Sequence, residues 1–176
     1  LDCSWNNLSN LQVSANPLLT ELDCRGNQIS SLDISGCMEL TKLYCGSNKL
    51  TGLDISANTS LRLFWANDNQ LTGLDLKGMT GLTEFNCENN EIHSLDFTGI
   101  SGLTRIYFGT NEIDSLDVTN CTSLKSLGCM YNKLKHLDLS NNTSLTYLVA
   151  DGNIITTLDL TNNTSLQYLS ASGNLL

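Results

Sequence analysis

Leucine returns along this chain at a fixed interval. It stands at Leu19, Leu40, Leu61, Leu82, Leu103, Leu124, Leu145 and Leu166, every step 21 residues, with no insertion or deletion. The unit reads L-x-x-L-x-C-x-x-N-x-L-x-x-L-D-[LIV]-[ST]-x-N-x-x, and each unit holds a weaker half-repeat. Leu40-x-x-Leu43-x-Cys45-x-x-Asn48 is echoed by Leu50-x-x-Leu53-x-Ile55-x-x-Asn58. Both halves place apolar side chains two apart around a polar one, which is strand spacing, and neither is long enough for a helix plus its turns. Each unit is therefore expected to form a coil of two short strands and two corners. Stacked coils predict a β-rich solenoid with a parallel sheet on one face, a second short parallel strand ladder opposite, and little or no helix. At about 4.8 Å per coil the rod is roughly 40 Å long. One coil cannot bury its own leucines, whereas a stack makes a continuous core.

The repeat also sets the organisation. Residues 1–18 form a unit lacking its first three positions, residues 19–165 hold seven complete units, and residues 166–176 begin another. Residues 1–176 are expected to be a single repeat domain, a fragment of a longer protein, because both ends fall within a unit and no initiator Met is present.

In a solenoid each unit position becomes a column. The ninth holds Asn6, Asn27, Asn48, Asn69, Asn90, Asn111, Asn132, Asn153 and Asn174 without exception. A corner turns backbone N–H and C=O groups inward, and an amide side chain can both donate to and accept from them, and pair along the stack. A structural role is expected. The sixth column holds Cys3, Cys24, Cys45, Cys87 and Cys129, with Ala66, Phe108, Ala150 and Ala171 elsewhere. Cysteine alternating with alanine marks a small apolar slot, and stacked thiols of this kind act as buried hydrophobes. No C-x-x-C pair occurs, and the count of seven cysteines cannot close a full intramolecular disulfide set. The fifteenth column holds Asp33, Asp54, Asp75, Asp96, Asp117, Asp138 and Asp159. Stacked carboxylates repel, so each is expected to accept hydrogen bonds from the residue two further on, as Asp54 from Ser56. A calcium strip there is disfavoured, since single monodentate carboxylates hold the ion weakly and the glycine-rich calcium-coil spacing is absent.

The aromatics test the assignment of faces. Phe64, Phe85, Phe97 and Phe108 all fall at inward columns, whereas all five tyrosines and both tryptophans fall at outward ones. Rings with a polar handle stay where water or a partner can reach them. Tyr44, Trp65 and Tyr107 share the fifth column, Tyr147 and Tyr168 the third with Leu63, and Met130 lies in the seventh; Trp5 and Tyr131 stand at the rim. Charges on this face are mixed, Arg25, Lys42 and Arg105 beside Asp23, Glu84 and Glu88. An aromatic stripe among dispersed charges fits a protein-binding surface, with ligand contacts expected from Tyr44, Leu63, Trp65, Arg105, Tyr107, Met130, Tyr147 and Tyr168. The same rings could stack on a glycan, and a purely structural spacer is the third reading.

Composition removes other classes. A net charge of −9 lacks the basic footprint of a nucleic-acid binder. No run approaches the roughly 18 apolar residues of a membrane span, so no membrane insertion is expected of this segment. His93 and His136 sit in variable outward columns, and no nucleophile elbow, phosphate loop or zinc-protease motif is present. Neither catalysis nor a cofactor is expected.

The unit, with segments such as Leu127-Gly128-Cys129 through Asn132 and Leu137-Asp138-Leu139-Ser140-Asn141-Asn142-Thr143, resembles the 21-residue cysteine-ladder leucine-rich repeats of bacterial surface proteins, the internalin J-like family. The resemblance runs the whole length, although Ala66, Phe108, Ala150 and Ala171 interrupt the ladder. It implies a leucine-rich-repeat solenoid, a non-catalytic adhesin or binding module, and a place outside the bacterial cell or on its surface. The targeting and anchoring segments of that family are not in this sequence.

Overall fold

The computed structural model describes residues 1–176. Each coil enters the main face with three extended residues, giving β1 (Glu21–Asp23), β2 (Lys42–Tyr44), β3 (Leu63–Trp65), β4 (Glu84–Asn86), β5 (Arg105–Tyr107), β6 (Ser126–Gly128), β7 (Tyr147–Val149) and β8 (Tyr168–Ser170). They form one eight-stranded parallel sheet in chain order, and the register advances by one unit at every step: Leu22 faces Leu43, Leu43 faces Phe64, Phe64 faces Phe85. The incomplete first coil joins through a bridge between Asp2 and Asp23. There is no helix.

The middle residue of each strand points inward, and 40 buried apolar residues run through the stack as one core. Its centre is thickest where Phe64 meets Phe85 and Phe85 meets Phe97, with ring centres 5.8 Å apart in both pairs.

The strand ladder supplies only 14 of the 74 backbone hydrogen bonds, so turns and bonds between coils outside it hold most of the backbone. After each strand the chain turns inward through the eighth position, which adopts a left-handed conformation in all nine coils: Trp5, Gly26, Ser47, Asp68, Asn89, Thr110, Tyr131, Gly152 and Gly173 have φ between 52° and 68°. Only the glycines take this at no steric cost.

The ladder expected opposite the sheet is reduced to a single bridge, Gln12 with Asp33. The cause is the aspartate column. Asp33 Oδ1 accepts the Ser35 N–H at 3.0 Å and Asp54 Oδ1 that of Ser56 at 2.9 Å, and all seven aspartates repeat the pattern. This bends the chain out of its extended path. Two reverse turns follow at once, as Asn58 N–H to Ile55 O at 2.8 Å and Leu61 N–H to Asn58 O at 3.0 Å, so no strand can lengthen there. On this side the leucines of the fourteenth column, such as Leu53, Leu74 and Leu95, are only half-buried.

Candidate binding face

The ninth-column asparagines fix the corner beneath the face. Asn90 Oδ1 accepts the Leu71 N–H of the preceding coil at 2.9 Å, and its Nδ2 donates to Ala66 O and Cys87 O, both at 3.0 Å. Asn27, Asn48, Asn69, Asn111, Asn132, Asn153 and Asn174 make the same set, each tying its coil to the one before. The amides thus bond to neighbouring backbone, and do not pair with one another as the sequence reading allowed. Asn6 donates in the same way to Cys3 O at 3.1 Å and Ser4 O at 3.0 Å.

Beside them Cys24, Cys45, Cys87 and Cys129 are buried and Cys3 is half-buried, all as free thiols. Burial pushes the Cys24 and Cys129 thiols up to about 12, and Cys45 and Cys87 well above the usual thiol range, so they stay protonated.

A second amide ladder escaped the sequence reading. In the nineteenth column Asn58, Asn142 and Asn163 are fully or nearly fully buried and donate to carbonyls of the preceding coil, Asn142 to Val118 O at 3.0 Å and Cys121 O at 2.9 Å. Cys37 and Cys121 replace them, with Sγ directed at Val13 O and Ile100 O. The three amide oxygens have no donor. Asparagine and cysteine recurring in one column, interrupted only by Met79 and Ile100, was the available signal, because the first two can both offer a hydrogen to a carbonyl.

Outside, the sheet presents the third, fifth and seventh columns. Five of the eight expected contact residues, Trp65, Tyr107, Met130, Tyr147 and Tyr168, line one shallow groove of about 380 Å³. Asn86, Glu88, Gly128 and Val149 complete it, and sequence reasoning did not single out these four as contacts. Glycine makes the floor. A side chain on Gly128 would begin 2.7 Å from Tyr107 Cδ1, so the tyrosine ring lies across that position. Gly109 plays the same part under Met130, whose Cγ is 2.9 Å from where a Cβ would be. Tyr147 and Tyr168 stack at 4.7 Å and 10°, forming one wall.

Tyr44, Leu63 and Arg105 lie outside the groove. Tyr44 meets Trp65 edge-on at 5.4 Å and continues the stripe. Leu63 is half-buried between Lys42 and Glu84 in its column, and Arg105 is ion-paired with Glu84. Trp5 and Tyr131 are 73% and 61% exposed, and their rings lie over Gly26 and Gly152 of the next coil. His93 and His136 are exposed on the other side of the coil, where a smaller, polar hollow of about 240 Å³ runs past His136, Asp138 and Asp159. No helix is long and apolar enough to cross a membrane.

A parallel sheet on one side, leucines inside and an asparagine at every corner make the chain a leucine-rich-repeat solenoid. Its repeats are of the 21-residue cysteine-ladder type. The family model for leucine-rich repeats in two copies matches residues 17–58. Among solved structures, the functional domain of InlJ from Listeria monocytogenes, described as including a cysteine ladder, is 39% identical with a TM-score of 0.97. That match covers 99% of this chain and 39% of the InlJ chain, so the present sequence spans well under half of it. The internalin InlF of the same organism is 26% identical over 97% of this chain and 66% of its own, with a TM-score of 0.58. The ectodomain of the Arabidopsis thaliana receptor kinase GASSHO1/SCHENGEN3, in complex with Casparian strip integrity factor 2, shares the fold: 22% identity, TM-score 0.84, covering 92% of this chain and 22% of that one. No curated protein sequence matches significantly.

Proposed function

We propose that this chain is a non-catalytic binding module of a bacterial surface or secreted protein, and that it recognises a protein partner through the aromatic outer face of its main sheet. The groove carries the reading. Five exposed or half-exposed apolar side chains converge over a glycine floor, among polar and charged neighbours such as Asn86, Glu88, Arg105 and Glu84. Rings of low conformational freedom set in a shallow depression are the anchors from which protein interfaces draw most of their energy. The plant ectodomain of the same fold was solved in complex with Casparian strip integrity factor 2, and the InlJ likeness supports a place outside a bacterial cell.

Peptides selected from a display library on the native domain provide the test. Trp65→Ala and Tyr107→Ala are each expected to weaken the selected peptides about tenfold or more, with the thermal midpoint almost unchanged. Unaltered affinity in both variants refutes this assignment. A glycan ligand is the second reading, favoured by the parallel stack of Tyr147 and Tyr168 on the outer face. A glycan array without hits removes it.

A further inference from the structure

The aromatic stripe already holds one cation of its own. Arg25 donates to both oxygens of Asp23, Nε to Oδ1 at 2.9 Å and Nη2 to Oδ2 at 2.6 Å, and its guanidinium lies 4.9 Å from the centre of the Tyr44 ring. A carboxylate from one coil and a ring from the next clasp the charge between them.

Further along the face a carboxylate again shares a hollow with aromatic rings, here without a cation. Trp65 and Tyr107 stand in one column two coils apart, roughly 10 Å at the ladder spacing, with the short Asn86 between them. Tyr107 leans away from this gap, over Gly128. Glu88, on the coil of Asn86, borders it. Asn86 Oδ1 holds the Glu88 N–H at 2.9 Å, and the nearest donor to the carboxylate is Asn86 Nδ2, 3.4 Å from Oε2. Oε1 lies over Gly109, beside the Met130 side chain that covers the same glycine. The cations of the face are engaged elsewhere: Arg25 with Asp23, Lys42 with Glu21, Arg105 with Glu84. Asp68 adds further negative charge nearby, and the chain as a whole carries −9. Burial, and less strongly Asp68, raise the Glu88 carboxyl above its usual range against the lowering effect of the Asn86 amide, and no cation of the chain is paired with it.

We propose that the gap between Trp65 and Tyr107, bordered by Glu88, receives a basic side chain of the protein partner, arginine above lysine, clasped as Arg25 is clasped by Asp23 and Tyr44. This rests on the reading of the face as protein-binding and names the chemistry it selects. A planar guanidinium can lie against a ring while donating to a carboxylate, which an ammonium does less well.

Isotope-labelled domain gives two indole N–H resonances, from Trp65 and from the remote Trp5, which serves as control. The probes are N-acetylarginine methylamide and its neutral isostere N-acetylcitrulline methylamide. The arginine probe is expected to shift Trp65 saturably and leave Trp5 in place. Citrulline, and arginine with Glu88→Gln, are expected to bind at least about fivefold more weakly. An equal response to both probes, undiminished binding by Glu88→Gln at unchanged thermal midpoint, or no shift of Trp65 overturns the proposal. Library-selected peptides separate the two claims. If Trp65→Ala loses them and Glu88→Gln keeps them, the basic side chain is wrong and the face is right.

Discussion

Asparagine serves two columns of this solenoid, and its worth differs between them. In the ninth, Asn90 is the sole hydrogen-bond partner of the Leu71 N–H and one of two amides on Ala66 O and Cys87 O. Asn90→Ala is expected to cost about 1–3 kcal/mol, because a buried donor is left unpaired. In the nineteenth, the carbonyls that Asn142 reaches are already engaged, Val118 O by the Cys121 N–H at 2.9 Å and Cys121 O by the Leu124 N–H at 3.0 Å. Asn142→Cys, which copies Cys121 one coil earlier and removes an unpaired oxygen, is expected to cost under about 1 kcal/mol. Denaturant titration of the two variants measures the contrast; equal losses would refute it. Strain is the other residue-scale quantity. Thr110 is β-branched and holds φ at 56°, where an L-residue loses about 1–2 kcal/mol. Glycine there forfeits part of that gain through unfolded-chain entropy, so Thr110→Gly should raise the thermal midpoint modestly.

At the scale of the element, the side opposite the sheet is a succession of carboxylate-closed turns. Asp33, Asp54, Asp96, Asp117, Asp138 and Asp159 are held below the usual carboxylate range by hydrogen bonds from the backbone N–H, the side chain, or both, of the residue two further on. A depressed folded-state pKa stabilises above the unfolded value, near 3.9 for aspartate, and that contribution is lost as pH falls through the folded value. The thermal midpoint should therefore hold steady from pH 7 to about 5 and fall below about pH 4. Glu88, raised by burial, acts in the opposite sense but is one group against six. Because each aspartate commits an oxygen to its own turn, millimolar calcium should leave the melting temperature unmoved. A rise would show the column to be a cation strip after all. The cysteine ladder makes a parallel prediction: a thiol reagent should label Cys24, Cys45, Cys87 and Cys129 only after unfolding.

For the molecule as a whole, regular winding produces one broad apolar-aromatic face and one polar, turn-rich side. The groove exists because glycines interrupt the columns at points where aromatic rings can lie over them. Gly128→Ala should push the Tyr107 ring aside, since the new methyl begins 2.7 Å from its Cδ1. Selected peptides should bind more weakly to it while the melting temperature changes little, the ring being half-exposed and free to move. A net charge of −9 would also speed encounter with a basic partner, an advantage that should fade as salt rises from 20 to about 150 mM. An association rate indifferent to salt would argue for a neutral partner.

The 21-residue period determined the solenoid, the parallel sheet, the burial of the phenylalanines and the outward placement of every tyrosine and tryptophan. It did so because a column repeated in every coil must meet the same environment each time, which converts a linear pattern directly into inside and outside. Tertiary structure decided what depends on neighbours across coils. It shortened the second ladder to the Gln12–Asp33 bridge, because the aspartates close turns there. It imposed a left-handed eighth position on residues as different as Trp5 and Gly173, a backbone demand hidden by a mixed column. It also gathered Trp65, Tyr107, Met130, Tyr147 and Tyr168 into one groove and left Tyr44, Leu63 and Arg105 outside. Which rings lean over which glycines depends on packing between adjacent coils, and no single column of the sequence records that.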